Sequence, residues 1–314
     1  MHADPPSLSP RASALRGLLW MTVANTLFSV MSISARLASR TASWAAVGAG
    51  RALLGACVAA AFALRSGKPL RTKSRGLSWA RSIFGTISML ATFYALGQKS
   101  LPVGDAVTIF ATAPILIALF SPRLLGETPS RGLWGVLLVA FAGVALIAGP
   151  RLDVAGAPAA SALVAAIFSA LAMMFLRKMR AGTQDGTPES AEAIALHFAL
   201  VSFAVHVVFA AFSFRAPAPR DWIFLFVTGL SGGLAQLAMT QAYAMTEAAR
   251  LGAISYVGTV ISFFAGVVFL DERPSLLQIG GVALVIGAGS VLAVGASRAA
   301  SRIPAIEPSP DGAR

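Results

Sequence analysis

The sequence predicts an all-α polytopic membrane protein of ten transmembrane helices, arranged as two inverted five-helix repeats. Three observations support this prediction: the composition, the number of long apolar segments, and a duplicated pattern around two acidic residues. Hydrophobic residues make up 56% of the 314 positions and charged residues only 12%, against roughly 25% charged residues in an ordinary soluble domain. This composition excludes a water-soluble fold.

Ten apolar segments are long enough to cross a bilayer as helices. A crossing takes about 20 mostly apolar residues, because lipid cannot satisfy exposed backbone polar groups. Short connections separate the segments and leave no room for a soluble domain. The segments are 17–35, 43–64, 78–98, 102–121, 130–149, 157–176, 191–212, 222–243, 250–270 and 276–296.

A repeat is visible around Glu127 and Glu272, which are 145 positions apart. Each glutamate follows one apolar segment and precedes the next. Upstream, Phe93-Tyr94-Ala95-Leu96 is matched by Ala242-Tyr243-Ala244-Met245. Because each repeat holds five helices, the second copy enters the membrane from the opposite side. We expect both glutamates to cap helix N-termini, at opposite membrane faces.

The repeats span residues 16–150 and 151–296. Residues 1–15 and 297–314 are rich in Pro, Ser, Ala and Arg without an apolar period, so these tails are expected to be disordered. The first apolar segment follows Arg11 and Arg16, as in a signal peptide. Nine more segments follow it, so we interpret it as a retained signal-anchor helix.

The net charge of +12 follows the pattern of membrane topology rather than that of nucleic-acid binding. Seventeen of the Lys and Arg residues, including Arg81 and Arg177, fall in connections predicted to be cytoplasmic, against seven on the other side. This distribution predicts a bacterial inner-membrane protein with both termini in the cytoplasm. The expected partners are the lipid bilayer and a small-molecule substrate, with no nucleic acid.

Arg51 lies about half-way along the second segment, where a centred arginine costs roughly 2.5–3.5 kcal/mol on insertion scales. One interpretation is that its guanidinium faces a wet cavity and binds a carboxylate or phosphate of the substrate. The alternative is that Arg51 lies nearer the outer interface, where it snorkels or caps backbone carbonyls. The sequence leaves both open.

Polar side chains recur at helical spacing along several segments and would share one face of each helix. If these faces converge, they line a central pathway, although Ser and Thr more commonly mediate helix packing in lipid. The larger amides and phenols of Asn25, Gln236 and Tyr243 favour the pathway, because they need partners. The predicted substrate-binding residues are Arg51, Asn25, Ser29, Thr92, Tyr94, Thr112, Gln236, Thr240, Tyr243 and Thr259.

Pro114 interrupts the fourth segment just after Thr112. Its counterpart in the repeat is Thr259, so the sequence predicts that the interruption is not duplicated. His197 and His206 lie nine residues apart in the seventh segment. At about 100° per residue they point to nearly opposite sides and cannot both face one site.

The segment Gly229-Leu230-Ser231-Gly232-Gly233 satisfies G-x-S-x-G, and its start resembles the nucleophile signature of rhomboid proteases. Such a serine needs a histidine base from a later helix, and no histidine follows His206. We interpret these glycines as sites of close helix approach. The sequence also lacks a P-loop and an H-E-x-x-H pattern. We therefore expect no catalytic residue, no cofactor and no metal, and a protein that is not an enzyme.

An ordered set of motifs resembles the EamA domains of the drug/metabolite transporter superfamily. The first half shows it in Arg81-Ser82-Ile83-Phe84-Gly85, Phe93-Tyr94-Ala95-Leu96, Leu101-Pro102-Val103-Gly104-Asp105-Ala106, Ala113-Pro114-Ile115 and Leu125-Gly126-Glu127. The second half shows it in Gln241-Ala242-Tyr243, Asp271-Glu272-Arg273-Pro274 and Gly280-Gly281. Arg51 matches an arginine often seen in the second helix of the family, whereas Thr259 departs from its frequent proline. The resemblance implies a ten-helix, inverted-repeat permease whose central cavity is lined by helices 1, 3, 4, 6, 8 and 9.

These observations predict a secondary transporter that moves a small polar metabolite across the inner membrane by alternating access. An anionic or zwitterionic solute such as an amino acid is expected, because Arg51 is deep in a helix and no carboxylate is. A lipid or lipid-linked sugar translocase of the same fold is the alternative, and an intramembrane enzyme or a non-transporting scaffold are weaker ones. The metabolite, the direction, proton coupling, and the choice between monomer and homodimer stay open.

Overall fold

The computed structural model describes residues 10–98, 100, 101, 103–149, 156–182, 187–215, 217–270 and 274–300. Within these ranges every regular element is a helix, and a 3₁₀ turn at Pro219–Asp221 precedes α9. The α-helices are α1 (Pro10–Ala38), α2 (Trp44–Arg65), α3 (Arg75–Gly97), α4 (Val103–Phe110), α5 (Ala113–Leu124), α6 (Arg131–Ala148), α7 (Ala157–Ala181), α8 (Ala191–Ser213), α9 (Trp222–Met245), α10 (Ala248–Ser255), α11 (Val257–Leu270) and α12 (Leu276–Ala300).

Eight helical stretches in the described ranges are long and apolar enough to cross a membrane. A shorter apolar stretch covers Ala248–Ile261. This is the helix content of an integral membrane protein. The eight stretches are Ser13–Ala38, Trp44–Arg65, Asp105–Leu124, Arg131–Ala148, Ala157–Ala181, Ala191–Ser213, Pro219–Met245 and Leu276–Val294.

Serine caps fix where three of the helices begin. The hydroxyl oxygens of Ser43, Ser130 and Ser190 accept hydrogen bonds from the backbone N–H groups three residues ahead, at 3.2–3.3 Å. Each cap satisfies one of the first N–H groups of α2, α6 or α8, which have no partner inside the helix. At the other end, Gly149 stops α6 in a left-handed conformation with φ of 56°, as glycine commonly does at the end of a helix.

Several helices extend beyond their predicted limits. α1 already begins at Pro10 and α12 continues to Ala300, so residues 10–15 and 297–300, which the sequence analysis assigns to the tails, are helical. Proline is well suited to the first turn of a helix, and the Ala, Arg and Leu residues that follow Pro10 are strong helix formers. α7 likewise continues to Ala181 and includes Arg177, which the prediction places in a connection.

Two helical stretches are interrupted, one between α4 and α5 and one between α10 and α11. The first interruption, at Ala111 and Thr112, agrees with the prediction made from Pro114. The second, at Tyr256, has no proline beside it, so the prediction that the interruption is not duplicated is wrong.

Side chains from neighbouring elements supply the hydrogen bonds that an interruption in the second stretch requires. The Asn25 amide donates to the carbonyl of Ile254 at 3.2 Å, and the Ser29 hydroxyl donates to the carbonyl of Gly258 at 3.1 Å. A break in a buried helix frees backbone carbonyls, which are costly unless they find new partners. With these donors in place, the chain breaks at Tyr256 without a proline.

The helices pack in pairs through small residues. α1 packs against α9, α2 against α8, α3 against α7 and α6 against α12, and α2 and α3 also contact α9 and α8 respectively. A Cβ on Gly233 would lie only 3.0 Å from the Cα of Gly55 on α2. A Cβ on Gly229 would collide with Leu54. The interpretation of the 229–233 glycines as sites of close helix approach is therefore confirmed.

The contact between α6 and α12 provides a matched pair of glycine substitutions. A Cβ on Gly143 would lie 2.7 Å from the carbonyl oxygen of Gly281, whereas nothing described lies within 4 Å of a Cβ on Gly135. We expect Gly143→Ala to destabilise the protein by roughly 1–3 kcal/mol through overpacking, and Gly135→Ala to be neutral or stabilising by up to about 1 kcal/mol. Thermal unfolding in detergent measures both, and equal effects would contradict the described packing.

Candidate functional site

The structure places Arg51 in the interior of the helix bundle. Its side chain is 7% exposed, and its Nη1 lies 3.2 Å from the sulfur of Met89 on α3. The guanidinium carbon lies 5.5 Å from the centre of the Phe198 ring on α8. On α9, Gly232 makes room for it, because a Cβ there would lie 3.2 Å from Nε of Arg51. Arg51 is thus enclosed by α3, α8 and α9.

A second arginine lies beside it, and the sequence analysis missed its role. Arg81, counted there among the charges of a cytoplasmic connection, belongs to α3 and is 1% exposed. Its guanidinium carbon lies 4.4 Å from the centre of the Phe198 ring. The side chain extends over Gly85, where a Cβ would collide with Nη1. The spacing of Arg81 and Gly85, one helical turn apart in an apolar segment, was the available signal.

Arg51, Arg81 and Gln236 form what we call the arginine site. The guanidinium carbons of Arg51 and Arg81 lie 5.5 and 4.4 Å from the centre of the same Phe198 ring, so the two charges are neighbours. Gln236 lies one turn after Gly232 on α9 and is also buried. Among the described residues, Nε and Nη1 of Arg81 and the amide nitrogen of Gln236 have no hydrogen-bond partner. Buried donors without acceptors are costly and favour an anion.

Three of the other predicted residues gather at the interruption between α10 and α11. Asn25 and Ser29 bond to backbone carbonyls there, as described above. The backbone N–H of Thr259 donates to the carbonyl of Tyr256 at 3.0 Å. These residues therefore support the broken backbone, and none of these hydrogen bonds involves either guanidinium.

The remaining predicted residues have local partners. The hydroxyls of Thr92, Thr112 and Thr240 each donate to a carbonyl of the preceding turn, at 2.7–2.8 Å. The Tyr94 ring meets Trp44 edge-on, with 6.1 Å between ring centres. Tyr243 is 1% exposed, and its backbone carbonyl accepts a hydrogen bond from Arg177 at 2.9 Å.

Glu127 joins four elements at one end of the bundle. Its Oε1 lies 2.6 Å from Nε of Arg177 on α7, and its Oε2 accepts from the backbone N–H of Ala248 at 2.9 Å. Arg177 also donates to the carbonyl of Tyr243 at 2.9 Å. The prediction that Glu127 caps a helix is confirmed, but the helix is α10 rather than α6, which Ser130 caps. Glu272 lies outside the described residues.

Glu189 makes an equivalent contact with the start of α3. Its two carboxylate oxygens accept from the backbone N–H groups of Ser74 at 2.6 Å and Lys73 at 3.0 Å. Arg180 donates to the carbonyl of Glu189 and to Oε1 of Gln241. Glu127 thus binds the first residue of α10, and Glu189 binds the N-cap residue of α3 and the residue before it, each more than 100 positions away in sequence. At both places the negative charge complements the helix dipole.

The pairing of Glu127 can be compared with an exposed pair. Glu247 and Arg250 form an ion pair of 2.9 Å one turn apart, with side chains 50% and 33% exposed, against 18% and 16% for Glu127 and Arg177. We expect Glu127→Gln to cost about 1–3 kcal/mol of stability, because it leaves Arg177 and the α10 N-terminus without their charged acceptor. Glu247→Gln should cost no more than about 0.5 kcal/mol.

Thermal unfolding of both glutamine variants in detergent tests this expectation. A loss in Glu127→Gln no larger than that in Glu247→Gln would show that the Glu127 contacts contribute little to stability.

The comparisons with known proteins identify the family. The model of the EamA-like transporter family matches residues 15–149 and 157–294, so the chain belongs to this family and is a membrane transporter. The pseudopaline exporter of Pseudomonas aeruginosa is 27% identical over 272 residues, which are 86% of this chain and 93% of that protein. The riboflavin transporter of Vibrio cholerae is 23% identical over 287 residues, covering 89% and 93% of the two chains.

Two further similarities agree with this assignment. An uncharacterized transporter of Helicobacter pylori is 29% identical over 245 residues, which cover 72% of this chain and 78% of that protein. A solved crystal structure with 22% sequence identity superposes with a TM-score of 0.76, over 90% of this chain and 98% of the other. That likeness shows a shared fold.

Proposed function

We propose that this transporter moves a small anionic or zwitterionic metabolite across the bacterial inner membrane by alternating access, as a secondary transporter. The burial of Arg51 is the observation on which the proposal rests. Its one hydrogen bond among the described residues is to the Met89 sulfur, which is a weak acceptor. A carboxylate or phosphate offers the guanidinium a charged, bidentate acceptor instead.

The lengths of the broken helices support the inverted repeat. α4 (Val103–Phe110) and α10 (Ala248–Ser255) are both eight residues long, and both their starts and their ends are 145 positions apart, as are Glu127 and Glu272. We therefore take α4 with α5 as the fourth crossing and α10 with α11 as the ninth. With α3 as the third, the chain has ten crossings, divided into repeats at 16–150 and 151–296.

The packing of the helices supports the same symmetry. Exchanging the two proposed repeats turns the α1–α9 pair into the α7–α3 pair and leaves the α2–α8 and α6–α12 pairs unchanged. The Tyr256 hydroxyl donates to the carbonyl of Ala111 at 2.8 Å, and these residues are also 145 positions apart. A hydrogen bond between equivalent residues of the two repeats is expected near a two-fold axis in the membrane plane.

The glutamate contacts support the threading of the chain. Glu127 lies between α5 and α6 and reaches the start of α10, while Glu189 lies between α7 and α8 and reaches the start of α3. The connections before α3, between α5 and α6, between α7 and α8, and before α10 are joined by these contacts. In a chain of ten crossings these four connections all lie on the same face of the membrane. By the distribution of positive residues this face and both termini are cytoplasmic. Contacts that hold these connections together are consistent with a transporter that closes this face in one state of an alternating-access cycle.

Replacement of Arg51 tests the proposed function. In proteoliposomes we expect Arg51→Ala to reduce transport of amino-acid or organic-acid substrates at least tenfold, because it removes a charge-assisted hydrogen-bond donor. Arg51→Lys should retain part of the activity, since an ammonium keeps the charge but loses the bidentate geometry. Arg36→Ala is the matched control, because Arg36 is exposed at the end of α1 and its loss should leave transport unchanged.

Transport of both substrate classes by Arg51→Ala at the wild-type rate would contradict the proposed function. Size-exclusion profiles of the variants establish that each protein is folded before its rate is compared.

A further inference from the structure

We propose that the transported solute carries two carboxylates, and that Arg81 is the second residue that binds it. This inference rests on the proposed function, because it names the charge of the solute at the same site. The anion at Arg51 explains one of the two guanidiniums at the arginine site. Arg81 is the more deeply buried of the pair, and the proposed role of Arg51 does not explain why Arg81 is buried.

Neither guanidinium has a protein counter-ion within the described ranges. The ion pairs formed there are Arg177–Glu127, Arg220–Asp221 and Arg250–Glu247. A buried charge that lacks its partner is strongly destabilising, and two buried charges of the same sign also repel each other. A bound solute that neutralises both arginines is therefore expected to stabilise the protein.

The surroundings of the two arginines hold their donors ready for such a solute. Phe198 lies beneath both guanidiniums, and an aromatic face attracts the cation through its quadrupole. A guanidinium stacked on a ring keeps its N–H groups in its own plane, where they remain available for bidentate hydrogen bonds. Gly85 and Gly232 leave the space that the two side chains occupy.

Arg180 shows what a structural buried arginine looks like in the same chain. It is 9% exposed and its Nε has no partner among the described residues, but its other two nitrogens donate to the carbonyl of Glu189 and to Oε1 of Gln241. Its hydrogen bonds tie α7 to the connection that follows it and to α9. Arg81 has no equivalent contacts among the described residues, since Nε and Nη1 are both unpartnered.

The balance of charge determines how many anionic groups the solute needs. One carboxylate shared by Arg51 and Arg81 would leave one positive charge buried, whereas two carboxylates neutralise the pair. Gln236 adds a neutral donor and changes no charge. The site therefore fits a dicarboxylate whose two ends reach around or across the Phe198 ring.

Binding to dicarboxylates and their monoamides tests the inference. The probes are succinate, glutarate and adipate, each paired with its monoamide, which has the same length and one charge fewer. Binding is measured by isothermal titration to the purified full-length protein in detergent. We expect the wild type to bind at least one dicarboxylate ten or more times tighter than its monoamide. Arg81→Met should remove this preference while the monoamide still binds through Arg51.

The stability of the protein without ligand separates a binding role from a structural one. We expect Arg81→Met to unfold at a higher temperature than the wild type, because the substitution removes an uncompensated buried charge and methionine still packs on Phe198. Arg180→Met is the matched control and should unfold at a lower temperature, because it breaks two hydrogen bonds.

Two results would overturn the inference. The first is equal binding of every dicarboxylate and its monoamide by the wild type; if Arg51→Met then weakens both, the proposed function stands and only the second carboxylate is wrong. The second is a fall in the unfolding temperature of unliganded Arg81→Met with the dicarboxylate preference intact, which would assign Arg81 a structural role. If no probe binds the wild type and Arg51→Ala transports normally, the proposed function fails as well.

Discussion

The structure depends on one constraint: inside a membrane, water is not available to satisfy a polar group, so the protein must do so itself. The interruptions at Ala111 and Tyr256 would strongly destabilise the protein in lipid if their backbone groups had no hydrogen-bond partners. They are stabilised where they meet, because the Tyr256 hydroxyl bonds to the carbonyl of Ala111. Asn25 bonds to a neighbouring carbonyl from α1. These hydrogen bonds tie the second interruption to the first and to α1.

The same constraint makes buried polar side chains without hydrogen-bond partners informative about function. Arg180, Arg177 and Glu127 are partly or wholly buried, and each has a polar partner in the chain. Among the described residues, Arg51 contacts the Phe198 ring and the Met89 sulfur, and Arg81 contacts the same ring, which satisfies little of their hydrogen-bonding capacity. Under the proposed function, the acceptor for these donors is the transported solute. Its binding would supply the missing negative charge, and its release would leave the two guanidiniums without an acceptor again.

Much of the fold could be predicted from the sequence, because the length of an apolar segment is a local property. Arg51 could be found for the same reason, since a charge in the middle of such a segment stands out. Arg81 was missed because it lies close to the start of a segment, where a positive residue is normally a topology signal. The second interruption was missed because no proline marks it, and the hydrogen bonds that permit it come from α1. The partner of Glu127 lies 121 residues away and depends on tertiary packing.

The central claim is that the charges missing from the site of Arg51 and Arg81 are supplied by a bound solute. The most direct measurement is an experimental structure of the full-length protein, determined with and without a saturating dicarboxylate. We expect ligand density that contacts both guanidiniums, with one carboxylate on each and a change at Phe198 no larger than a rotation of its ring. A protein carboxylate paired with either arginine in both structures, or a ligand bound away from them, would show that the solute does not supply these charges.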